Sequence, residues 1–404
     1  MRTFISVLTL FFAVSLHAAD WPQYRGPNAD GIAPETGINK EWKAKPPREL
    51  WRIKLGDNGF AGPIVAAGKL FIVDKVGDED LVRAVDLATG KDVWTFKYPD
   101  AYKPDMEDWG RGRSTPTFEK GRLYTQGTLG MVHAFDAEKG AKIWSKDIKA
   151  EYKGVPGDWA YTAAPLVDGD KLILCPGGAN ASVVALDKNT GKEIWKGGGS
   201  DKAGYATPVL ATLGGKKQYV VFAGTSLIGV DPENGALLWS HPWKTSYDVN
   251  AAAPVVMGNE IFISSGYGKG CALIAIEESK PRVVWQNKII KAHFNPPILH
   301  KGHLVGITGQ AASRGELYCL DPKTGATTWR VGDFEVGGVV GVDGLVIACS
   351  GISGEVVLGN PEPAAFQELG RITPLGGRTW TAPIIADGKL FVRNMKELVC
   401  LDLK

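Results

Sequence analysis

Three features of the 404-residue sequence predict an all-β fold, an eight-bladed β-propeller whose last blade is completed by a strand from the N-terminal end. A hairpin signature recurs at fixed internal offsets along most of the chain. A second landmark, a small residue followed within two positions by Pro, marks the start of each unit. The two ends of the chain carry complementary halves of one unit. Repeats with periods of this kind form stacked or ring architectures in which each unit buries its faces against its neighbours.

The signature is an Asp, a Gly four residues later and a Trp four after that. It occurs as Asp86/Gly90/Trp94, Asp136/Gly140/Trp144, Asp187/Gly191/Trp195, Asp231/Gly235/Trp239 and Asp321/Gly325/Trp329. A worn copy keeps Glu277 and Trp285 but has Pro281 in place of the Gly. Apolar runs before the Asp, such as Ser182 to Leu186, have strand character. The Asp carboxylate accepts from N–H groups two or three residues on and starts a turn, and the Gly supplies the positive φ that ends it. The Trp then returns on the outer strand of a hairpin and must bury its ring.

The second landmark opens an inner strand and precedes a Gly turn. It reads Ala61-Gly62-Pro63, Ser114-Thr115-Pro116, Ala163-Ala164-Pro165, Ala206-Thr207-Pro208, Ala252-Ala253-Pro254, Asn295-Pro296-Pro297 and Thr381-Ala382-Pro383. A copy without Pro spans 337–346, which brings the blades to eight. Glu49 to Ile53 looks like a Trp-bearing outer strand with no hairpin before it, whereas the chain ends on Glu397 to Lys404, an inner half with no Trp strand to follow. Joining the two closes the ring and removes exposed sheet edges.

The predicted organisation is therefore a signal peptide over 1–19, an extended arm over 20–48 and the propeller over 49–404. Arg2, the apolar run Phe4 to Leu16 and Ala18-Ala19 have the order of a secretory leader. No stretch is long enough for a transmembrane helix, so the expectation is a soluble protein exported to the periplasm or the exterior. A net charge of +2 without a basic run argues against nucleic-acid binding. The 44% hydrophobic content and 51 glycines suit a globular fold rich in turns. Of five cysteines, Cys319 and Cys400 share the repeat position just before Leu-Asp, which favours small core residues over a disulfide framework.

Several apparent motifs carry little. His300 and His303 flank a Gly turn and lack further zinc ligands. Gly266 to Gly270 lacks the order of a phosphate loop. No Ser, Cys or His arrangement forms a nucleophilic triad.

The pattern Ala-x-Asp-x-x-Thr-Gly-Lys-x-x-Trp, complete in Ala185 to Trp195, resembles the tryptophan-docking repeat of eight-bladed quinoprotein propellers and of BamB-like propellers, which carry no cofactor. The stretches WPQYRGP, KTSYDVNAAAPVV and SSGYGKGCALI are similar to exported PQQ-like repeat proteins of planctomycetes and their relatives. The resemblance covers nearly all of residues 20–404. It implies that each Trp packs between neighbouring blades. It also implies a candidate cofactor, pyrroloquinoline quinone with calcium, near the axis. The adjacent cysteines of many alcohol-oxidising members are missing here.

The loops just before the inner strands supply the candidate site: Arg113, Trp159, Tyr161, Asp248, Asn250, His293 and Trp380, with Arg111, Asp158, Tyr205, Asn295, Glu335 and Arg378 beside them. On the quinoprotein resemblance, Asp248 and Asn250 would offer oxygen ligands to calcium, Trp159 or Trp380 a stacking face, and Arg113 or Arg378 a clamp for carboxylates. No catalytic residue and no resident metal are assigned. Three functions follow as expectations. The first is a binding or scaffolding propeller that receives a protein partner or small ligand at its mouth. The second is a quinone-dependent dehydrogenase of alcohols or sugars. The third is a carbohydrate-binding propeller, suggested by rim aromatics such as Tyr102, Trp109 and Tyr267.

Overall fold

The structure is a computed structural model that describes residues 19–56, 59–103, 112–311 and 313–404. The leader pattern lies almost wholly outside these residues, as does Arg111. Eight antiparallel sheets follow one another around a ring. Their innermost strands are Ile64–Ala66, Thr117–Glu119, Leu166–Asp168, Val209–Leu213, Val255–Met257, Ile298–His300, Gly338–Val342 and Ile384–Ala386. Blades 1 to 8 are numbered from these strands. One short α-helix, Ile148–Tyr152, and one 3₁₀ turn, Ser246–Asp248, interrupt the β pattern among the described residues.

Closure is as the chain ends predict. Blade 8 contributes three strands from the C-terminal end, and Glu49–Lys54 pairs antiparallel with Glu397–Asp402 as its outermost strand. The apolar core is layered between blades rather than central. Leu166, Ile173 and Val183 of blade 3, for example, pack on Tyr219, Val221 and Val230 of blade 4. Such layering is what a repeat requires when one sheet cannot bury its faces alone.

The Trp residues dock as the repeat implies. The indole N–H groups of Trp51, Trp94, Trp144, Trp195 and Trp285 donate to the carbonyls of Leu87, Ala137, Lys188, Pro232 and Pro322 in the next blade. Each ring also covers the turn Gly of that blade. A Cβ on Gly235 would lie 2.5 Å from Trp195, and one on Gly140 would lie 2.5 Å from Trp94. The Gly is thus fixed twice, by a φ near +70° and by the ring above it.

Blade 5, the worn copy, shows the converse. Its outer hairpin turns through Glu278 and Ser279, both left-handed, and no Gly is offered. Trp239 of blade 4 bonds instead to Gln218 Oε1 in its own blade.

A β-bulge precedes the Trp in each of the seven outermost strands that carry one, and blade 7, whose outermost strand has no Trp, slips in the same way at Leu369. Trp94 pairs with Ala84 and Asp92 with Val85, so Val93 is left over, and the same slip recurs around the ring. The extra residue swings the Trp toward the next blade. It also explains why Val93, Ile143 and Ile194 remain exposed although apolar.

The arm is threaded across one end of the ring. Trp21 exchanges backbone hydrogen bonds with Val65 in blade 1, and Pro22 accepts from Phe118 N–H in blade 2. Arg25 reaches the carbonyls of Pro296 and Pro297 in blade 6. Ile32–Ala33 then adds a parallel fifth strand to blade 7, and Asn39 N–H donates to Leu403. The contacts with Val65, Phe118 and Gly341–Val342 lie beside the turns from the innermost to the second strands, so the arm covers that end of the axis.

Candidate functional site

At the opposite end of the axis the loops that precede the inner strands meet. The small residues before each inner Pro let eight strands converge there; a Cβ on Gly62 would already sit 2.7 Å from Thr115 Oγ1. The result is a blind cavity of about 180 Å³. Its inner boundary includes Trp21, Tyr24 and Arg25 of the arm, and its walls carry Phe60, Trp159, Tyr205, Tyr267, Phe294 and Trp380. Phe60, Trp380, Phe294 and His293 form a continuous run of stacked or tilted rings, with centroids 5.0, 4.9 and 4.1 Å apart.

Of the residues predicted for the site, Arg113, Trp159, His293 and Trp380 line this cavity, as do the neighbouring Tyr205 and Asn295. Three others do not. Tyr161 is buried between blades with its hydroxyl donating to the Pro176 carbonyl. Asn250 is fully buried away from the cavity, where Nδ2 donates to Ala223, Gly224 and Trp243 carbonyls and Oδ1 accepts from Ser265. Asp248 is turned to Lys202 as an ion pair. Val249 and Ala251, on either side of Asn250, are the residues that face the cavity; they follow a 3₁₀ turn, Ser246–Asp248, with Tyr247 and Asp248 left-handed, so the local loop geometry decides which side each residue takes. Glu335 is likewise engaged, by Ser350 and the Ser353 N–H.

The arm residues, Phe60 and Phe294 were missed. Their only signal was the aromatic and cationic content of WPQYRGP, in a stretch without periodicity.

Among the described residues the wall contains two arginines and no Asp, Glu or Lys. The Arg25 guanidinium is held by four carbonyl oxygens, those of Ala29, Asp30, Pro296 and Pro297. Burial lowers its pKa from the usual value. Burial likewise brings Arg113 down to about 10, so it remains a cation at neutral pH. Arg378 stacks over Trp380 with its guanidinium carbon 4.6 Å from the ring centre. His293 is pushed down to about 4 by burial and is neutral. Its Nδ1 accepts the Ala311 N–H at 3.0 Å, which puts the ring proton on Nε2, and Nε2 has no partner among the described residues.

The geometry defines a tryptophan-docked eight-bladed propeller with a blind axial site. The family described as outer membrane protein assembly factor BamB matches residues 78–331, more than half of the chain, and the chain belongs to that family. BamB of Moranella endobia is 22% identical over 324 residues, covering 74% of this chain and 74% of that protein. Quinohemoprotein alcohol dehydrogenase ADH-IIG of Pseudomonas putida is 25% identical over 261 residues, 58% of this chain. The chain spans only 33% of that dehydrogenase's length. Among solved structures, BamB of Moraxella catarrhalis superposes with a TM-score of 0.64 at 16% identity, over 88% of this chain and 99% of its own. The Pseudomonas putida dehydrogenase gives a TM-score of 0.69 at 16% identity, over 95% and 80%. At such identities the superpositions speak to the fold alone.

The quinone implied by the resemblance to quinoprotein dehydrogenases can be tested against the described wall. Aromatic faces and guanidinium groups suit a planar carboxylate. Calcium needs six to eight oxygen donors, several of them carboxylates, and the two oxygen donors predicted for it, Asp248 and Asn250, are committed elsewhere. No cluster of three His, Cys, Asp or Glu side chains is placed to hold a metal among the described residues. The donor set does not fit a calcium-bound quinone.

Proposed function

We propose that this protein is a binding propeller, exported from the cell, that holds a small organic anion in its axial cavity. The observation that carries the reading is the pairing of two guanidinium groups with aromatic walls in a blind pocket whose described wall has no carboxylate. The partners of Arg25 are neutral carbonyls, so its charge still favours an anion in the pocket, and the aromatic rings exclude water around it. The leader-like residues 1–19 support export. No helix among the described residues is long and apolar enough to cross a membrane.

The rival reading, a quinone-dependent dehydrogenase, draws on the kinship with alcohol dehydrogenases. A calorimetric titration separates the two. Monocyclic carboxylates are expected to bind saturably without calcium, and Asp248→Ala is expected to leave calcium response unchanged because Asp248 pairs with Lys202. Saturable binding of pyrroloquinoline quinone that requires calcium and fails in Asp248→Ala would overturn the binding-protein reading. Dye reduction on adding alcohols or sugars would do the same.

A further inference from the structure

The floor of the axial cavity belongs to the arm rather than to a blade: Trp21, Tyr24, Arg25 and Gly31 line it. Residues 23–31 fold into a loop bonded largely to itself. The Gly26, Ala29 and Gly31 N–H groups donate to the Gln23, Gly26 and Arg25 carbonyls, and Gln23 Nε2 donates to the Pro27 carbonyl. Arg25 and Ala29 take left-handed backbone, with φ of 65° and 56°, which residues with a side chain rarely adopt. The Arg25 side chain closes the loop on the Ala29 and Asp30 carbonyls and pins it to the Pro296 and Pro297 carbonyls of blade 6. So held, the loop sets two consecutive polar side chains, Tyr24 and Arg25, against the cavity.

The two side chains are left with different capacities. Arg25 has given its hydrogen bonds to carbonyls, so it offers the cavity charge, which neutral partners do not cancel. The Asp30 carboxylate acts on the same guanidinium, but it is turned to the Ile32 N–H at 2.9 Å and lies outside the cavity wall. Tyr24 is the reverse case. Burial raises its pKa, so it stays a neutral O–H donor, and its hydroxyl has no partner among the described residues. Tyr24 also borders a second cleft of about 10 Å³, room for one water at most, so the axial cavity is the space beside it that can take a ligand. An O–H donor next to a buried cation is a receiving point for a carboxylate. The wall nearby is apolar, with Gly62, Pro63, Val339, Pro383 and Ile384. The Thr162 and Thr381 hydroxyls and the Asn295 amide hydrogens are already given to backbone carbonyls. Such a wall suits an apolar ligand body.

We propose that the ligand is an apolar monocarboxylate that enters carboxylate first, and that Tyr24 of the arm donates the hydrogen bond that receives it on the cavity floor. The inference rests on the binding-propeller reading and adds the ligand's class and orientation. The arm is then part of the binding site, and occupancy of the cavity and seating of the arm reinforce each other.

The test is calorimetry on the purified protein with benzoate, its uncharged counterpart benzamide and the dicarboxylate terephthalate, joined by hydrogen exchange of the arm. Benzoate is expected to bind about tenfold or more tightly than either of the others. Tyr24→Phe is expected to weaken benzoate about tenfold and benzamide less than about threefold, because a hydrogen bond to a charged group is the stronger one. Hydrogen exchange needs no variant: benzoate is expected to slow the Gly26, Ala29 and Gly31 amides by about threefold or more. Unchanged benzoate affinity in Tyr24→Phe, or benzoate bound without protection of these amides, overturns the floor assignment and leaves the anion reading intact. Terephthalate bound more tightly than benzoate overturns the monocarboxylate class. Benzamide bound as tightly as benzoate, or no binding by any probe, overturns both readings.

Discussion

The circumference and the axis of this ring obey different rules. At the circumference each blade repeats one local device: an Asp-started turn, a left-handed Gly, a bulge and a Trp that docks on the next Gly. The Asp187 carboxylate, for example, accepts from the Asn189 and Thr190 N–H groups and the Thr190 hydroxyl. At the axis only the small residue and Pro that open each inner strand repeat; the site itself is made by the arm, an irregular set of loops and residues from non-neighbouring blades. Repetition supplies the frame, and the departures from it supply the site.

The largest effect is expected from breaking the frame where chain ends meet. A chain beginning at residue 55 lacks both the arm and Glu49–Lys54, so Glu397–Asp402 becomes an open edge. It is expected to self-associate, read by light scattering on a sizing column. A monomer with unchanged melting would show that neither the arm nor the closing strand holds the ring.

Next come the two kinds of glycine. Gly235→Ala meets both a φ of +74° and the Trp195 ring, whereas Gly258→Ala meets a φ of +62° with open space around it. The first is expected to destabilise by about 2–4 kcal/mol and the second by about 1 kcal/mol. Equal losses in chemical denaturation would mean that docking adds nothing beyond the turn.

The smallest effect concerns a buried charge cluster in blade 1, between frame and axis. Lys75, Asp80 and Asp100 are all nearly inaccessible, and Lys75 Nζ lies 3.2 Å from Asp80 and 3.1 Å from Asp100. Desolvation, with the Asp100 charge second, raises Asp80 to about 6. A carboxyl raised above its unfolded value near 4 binds its proton more tightly in the folded state. Stability from this group is therefore greatest below about pH 4 and falls as pH rises from about 4 to 6, by on the order of 1–3 kcal/mol. Asp80→Asn should remove that slope in melting curves taken across this range. An unchanged slope would assign the pH dependence to other carboxylates.

Legibility followed the same division. The eight blades, their strand order and the closing strand were readable because the hairpin rule is local and occurs many times. Even the worn copy was visible as Pro281, although its consequence, the undocked Trp239, was not. The site was readable only in part. Arg113, Trp159, His293 and Trp380 were placed by their distance from the inner Pro, a landmark that locates the mouth. Tyr161, Asp248 and Asn250 satisfied the same rule and still face elsewhere, because they lie in irregular loops and a 3₁₀ turn whose backbone, left-handed at Tyr247 and Asp248, sets the side each group takes. Asn250 points into a cage of carbonyls while its neighbours Val249 and Ala251 face the pocket.

By itself the sequence determined the ring: spacing fixes hairpins, hairpins fix blades, and complementary ends fix closure, each step resting on contacts between residues near in the chain or identical in kind. Only the tertiary structure decided that the pocket is blind and cationic. Arg25 and the Pro296 and Pro297 carbonyls it binds are separated by about 270 residues. Trp21 reaches blade 1 by a single pair of backbone bonds. Contacts of this kind leave no periodic trace, because they occur once and are set by where the arm crosses the ring.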